Sequence, residues 1–151
     1  MGIFVRIRNA ISPRTRMFNR LAVIAGRQWE LAELLKKHVG LCNYINIKSG
    51  LARLAESQDA QVRNMRALLS AHGVWARLPE RPVGGASNWE RLSGDLALLV
   101  EVCRDLNLCA VEAESIDNQI VTKLREIAAV LDRDGGELRD LALKCDPHAL
   151  N

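Results

Sequence analysis

Aromatic side chains are scarce: Phe, Tyr and Trp make up 4% of the 151 residues. Strands favour aromatic and β-branched residues. Their shortage, beside an abundance of Leu, Ala and Arg, points to helices. Long apolar runs are missing as well. No stretch approaches the ~20 apolar residues needed to span a bilayer, and the run LAVIAG is too short for a secretory signal. Cysteine is sparse, and Cys42, Cys103, Cys109 and Cys145 show neither CxxC nor zinc-ligand spacing. Free thiols without a secretory signal indicate a reducing cytoplasm. The chain also lacks a Gly-rich phosphate loop, a Ser/His/Asp order and an HExxH motif. A non-enzymatic protein without a cofactor is therefore expected.

One further absence is local. Residues 1–29 contain no Asp or Glu but hold Arg6, Arg8, Arg14, Arg16, Arg20 and Arg27, six positive charges against a whole-chain balance of +3. The rest of the chain must then sum to −3. A basic arm on a mildly acidic body suits phosphates, lipid headgroups or an acidic partner; a solvated N-terminus is the plainer explanation. The arm matches no nucleic-acid module, so nucleic acid is not an expected partner. The Arg-rich start also resembles an organelle transit peptide.

What is abundant is helical rhythm. Residues 1–13 read as the arm and 14–151 as one helical bundle domain. Leu21, Ile24, Gln28, Leu31, Leu35, His38, Cys42 and Ile45 keep a coiled-coil-like seam, with a turn expected near Gly40 and His38 read as a satisfied core histidine. A second helix over about 43–72 stops at Gly73. Residues 73–88 hold two prolines and three glycines and read as the one clear loop, with Trp75 and Leu78 as its exposable apolar residues. Ser87 or Asn88 caps a third helix, in which Leu92, Leu96, Leu99, Cys103, Leu106, Ala110, Ala113, Asp117, Ile120, Leu124, Ile127 and Leu131 alternate four-three spacing. The pattern predicts an unbroken helix of ~65 Å, ended by Gly135-Gly136 and followed by a short terminal helix. The expected fold is all-α: an antiparallel helical bundle or long helical hairpin, with three main helices and a short C-terminal one.

AESQDAQV at 55–62 nearly repeats as AESIDNQI at 113–120. As a repeated site it would supply Glu56, Asp59, Glu114 and Asp117 to a ferritin-like centre. Neither copy has a histidine, and an iron centre of that kind needs nitrogen ligands. No metal is expected, and those four carboxylates are the candidates should one bind. Read as helix grammar, the repeat puts Asp59 and Asp117 mid-helix as polar layers that fix register, and Asp117→Leu would then stabilise.

KSGL at 48–51, Trp89 opening the third helix, RDLN at 104–107 and the run IDNQIVTKLREI together resemble bacterial flagellar export chaperones of the FlgN type over residues ~30–131. The Asn-Gly usual after the RDLN-like segment is Ala110-Val111 here, and the Tyr-Gly tail is absent. The resemblance implies a cytoplasmic chaperone that holds amphipathic ends of flagellar junction proteins before export. Helix-in-groove recognition uses anchors spaced at three and four residues, which fits Leu99, Cys103, Leu106 and Ala110. Self-association through the same seam is the competing use, and a degenerate ferritin-like bundle or a structural protein is the alternative reading.

Overall fold

A computed structural model describes residues 11–76, 85 and 87–147. Among these there are four α-helices and no strand: α1 (Pro13–Leu41), α2 (Ile45–Ala71), α3 (Asn88–Ala113) and α4 (Asn118–Lys144). None of the four is long and apolar enough to cross a membrane.

Local chemistry sets most of the boundaries. Ser12 accepts from Thr15 N at 3.1 Å and Pro13 occupies the first turn of α1, where its missing N–H has no intrahelical role. The chain turns through residues 42–44, just beyond Gly40. α2 ends in a Schellman motif: Gly73 adopts φ +71°, Val74 N donates to Leu69 O at 2.9 Å and Gly73 N to Ser70 O at 3.0 Å. Only glycine takes that backbone conformation without strain. Ser87 caps α3 by accepting from Glu90 N at 3.2 Å.

The expected 88–131 helix is in fact two helices. The chain reverses at residues 114–117, and Asp117 caps α4 by accepting from Gln119 N at 2.8 Å. The reason is burial. Folding the four-three seam back on itself lets the Leu92–Ala113 stripe pack against Ile120–Leu131 in one core, whereas a single ~40-residue helix would need an outside partner along its length. Gly135 and Gly136 do not stop the helix either. They lie inside α4, and a Cβ on Gly135 would approach Leu99 Cδ2 to 2.9 Å; this glycine is a point of close helix approach, and the expected terminal helix is the last turns of α4.

Cross-helix pairs give the topology. Along the α1–α3 contact, Arg20 meets Glu112, Arg27 meets Asp105 and His38 meets Asp95, so the two run antiparallel. Arg53–Glu137 and Gln58–Asp134 give the same result for α2 and α4. α1 also packs on α2, and α3 on α4, with no contact across either diagonal. α2 and α3 thus point the same way from opposite corners. The 72–87 connection must return the length of the bundle, ~39 Å for 26 residues of helix. Two hairpins joined by one long crossover result.

Candidate functional site: a polar core layer and an uncovered helix face

Each helix sends one polar side chain into the same part of the core. His38 of α1 and Asp95 of α3 are both buried, with His38 Nδ1 hydrogen-bonded to Asp95 Oδ2 at 2.5 Å. Burial pushes the Asp95 carboxyl above the usual range, and the His38 hydrogen bond opposes that rise. Across the α2–α4 contact, buried Asp134 of α4 accepts from Gln58 Nε2 at 2.7 Å and Ser57 Oγ at 2.5 Å, both on α2. The Lys36–Asp59 ion pair, at 2.8 Å, sets position 36 level with 59, so 37 lies opposite 58. His38 and Gln58 are then about one residue step apart along the bundle, ~1.5 Å. Both pairs tie the first hairpin to the second.

This layer is not the expected carboxylate set. Asp59 sits on the surface between Lys36 and Arg63, each at 2.8 Å, and the Lys36 hydrogen bond holds its carboxyl low. Glu114 pairs with Arg125 at 2.6 Å, Glu56 is exposed and Asp117 is a helix cap. The octet is helix in its first copy and turn in its second, so its polar-layer role at Asp117 is corrected. Among the described residues no three His, Cys, Asp or Glu side chains gather where they could hold a metal.

The anchor stripe is corrected in register. Leu99, Leu106 and Ala110 are buried in the core, because the reversal at 114–117 gives the seam a partner within the chain. Cys103 is half-buried and its thiol donates to Ala128 O at 3.4 Å. α3 nevertheless has a second apolar face. Val100, Leu108 and Val111 are 56%, 58% and 60% exposed, an unusual distribution for a helix whose inner face is already covered. On the α4 side, half-buried Leu96 and Cys103, Leu99 and Val100 line a groove of about 480 Å³ that continues over Gly135 and Gly136, with Arg104, Asp132 and Arg139 at its edges.

The remaining candidates disperse. Trp75 is 77% exposed beside Trp29, whose ring carries the Arg66 guanidinium at 4.5 Å. Leu78, Arg6 and Arg8 fall outside the described residues. Arg14 donates to His72 Nδ1 at 3.1 Å and Arg20 pairs with Glu112, so both belong to α1 and its contacts; Arg16 is exposed. Sequence reading missed Asp95 and Asp134. Position 95 lies three residues after Leu92 and four before Leu99, a core position at helical period, and that spacing was the available signal. No family model matches the chain, and no curated protein matches it in sequence.

Proposed function

We propose that this is a non-enzymatic interaction protein that receives an amphipathic helix of a protein partner on the outer face of α3, in the manner of an export chaperone. One observation carries the reading: α3 exposes Val100, Leu108 and Val111 on its outer side although its inner face is already covered, and Val100 adjoins Leu96 and Cys103 in a groove against α4. Exposed apolar surface of this kind is what a helix-in-groove site presents. Photo-crosslinking from p-benzoylphenylalanine placed at Val100 or Val111 in the native host tests it, with exposed Arg63 on α2 as control. The expected result is an adduct with the same protein from both α3 positions and none from position 63. Adducts with the protein itself alone, or none, would remove the reading. A flagellar junction protein in the adduct would support the narrower chaperone role.

The second reading, a degenerate ferritin-like bundle, is favoured by the single long crossover, a connection that ferritin-like folds share. Iron and manganese titrations followed by calorimetry test it. Tight binding lost in Asp95→Asn and Asp134→Asn supports it, and no heat above buffer removes it.

A further inference from the structure

We infer that the α3–α4 groove takes a partner helix with an acidic residue near each end of its apolar stripe, packed closely over Gly136. This rests on the docking reading above and specifies its partner. Gly135 and Gly136 stand together inside α4, where glycine is worse than any residue but proline. Gly135 has an internal reason, the close approach of Leu99 at 2.9 Å from a would-be Cβ. Gly136 has none: a Cβ there meets nothing within 4 Å. The fold gains nothing from this glycine, whereas a helix crossing the groove gains depth. The bare position continues the floor that Leu96, Val100 and Cys103 form.

Charge supplies the partner's pattern. Contact between Leu99 and Gly135 sets Arg139 opposite position 95, nine residues from Arg104, or ~14 Å along the bundle. Asp132 falls between them, opposite position 102. The groove edge therefore reads basic, acidic, basic. Neither arginine is strongly committed within the chain: Arg104 lies 3.5 Å from Asp105, and Arg139 lies 3.8 Å from Asp140. Asp105 also faces Arg27 at 3.4 Å. An incoming helix with two acids about nine residues apart, and a base between them about two residues from the acid that meets Arg104, matches this order, and one with the signs reversed is repelled at both ends.

The test uses two synthetic 18-residue helical peptides with the same Leu/Ala stripe, one carrying Glu near both ends and Lys between, the other with those charges exchanged. Binding to the full chain is read by fluorescence anisotropy at low and high salt. The Glu-ended peptide is expected to bind roughly threefold to tenfold tighter, with the gap narrowing as salt screens the pairs. Gly136→Leu is expected to cut its affinity at least ~10-fold by filling the groove, while melting at the wild-type temperature or above. Equal binding of the two peptides, preference for the Lys-ended one, or undiminished binding to Gly136→Leu would overturn the inference. If neither peptide binds while Val100 still crosslinks to a partner, the acid-ended assignment falls and the docking reading stands. If crosslinks are also missing, both fall. Concentration-dependent self-association abolished by Gly136→Leu would give the groove to a second copy and likewise overturn it.

Discussion

Gln28 is fully buried on α1, and neither its amide nitrogen nor its amide oxygen has a hydrogen-bond partner. A buried donor or acceptor left without a partner costs about 1–3 kcal/mol. Gln28→Met keeps the unbranched length and the helix propensity while removing both polar atoms. With two unpartnered atoms and some relaxation, the expected gain is about 2 kcal/mol, or roughly 4–8 °C in Tm for a domain of this size. Urea unfolding followed at 222 nm measures it, and an unchanged m-value would show that the denatured state is unaffected. The paired control is Gln58→Met. There the amide donates to buried Asp134 at 2.7 Å, so its loss is expected to cost about 1.5–3 kcal/mol. The same substitution thus changes sign between two buried glutamines. Equal or lower stability in Gln28→Met would refute the reasoning and point to an ordered water holding the amide.

Asp117→Ala removes the α4 cap and should cost about 0.5–2 kcal/mol by urea titration, the reverse of what a mid-helix carboxylate predicts. Gly73→Ala forces a side chain onto φ +71° and should cost about 1 kcal/mol, read as a lower melting temperature. Asp95 gives a pH signature. Burial raises its carboxyl pKa, so the folded chain holds that proton more tightly than the unfolded chain. The stability this contributes is present at low pH and is lost as pH rises from the ordinary carboxylate value through the folded one. Unfolding midpoints of wild type against Asp95→Asn should therefore show the wild type losing ground between ~pH 4 and its folded pKa, and a gap independent of pH would count against the account.

The helical class was legible because Leu and Ala recur at helical spacing and little else competes. The Gly73 stop and the Ser87 cap were legible for local reasons: each depends on the φ angle or hydrogen bond of one residue. The reversal at 114–117 was not. Its signal, Asp117 before Asn118, is the same AESxD text that runs through the middle of α2, and only the choice of packing partner separates the two outcomes. Gly135-Gly136 misled for the related reason that glycine both ends helices and permits close approach, and the neighbour that decides, Leu99, lies 36 residues away. The site followed the fold. Once α3 and α4 fold together, Leu99, Leu106 and Ala110 turn inward, and the apolar side chains that α3 leaves exposed are Val100, Leu108 and Val111.

The crossover has a consequence for assembly in time. Each hairpin closes through a turn of three or four residues, so its contacts are local in sequence and inexpensive in chain entropy. The contacts between hairpins, His38–Asp95 and Gln58–Asp134 among them, are separated by 57 and 76 positions, and they complete only when two preformed leaves meet. Chain entropy across the connection grows slowly, about 0.6 kcal/mol for each doubling of its length. The molecule should therefore behave as a book whose spine can be lengthened, or cut, with far less effect than any change to the facing pages. Two separately made hairpins would be expected to find each other and restore the whole.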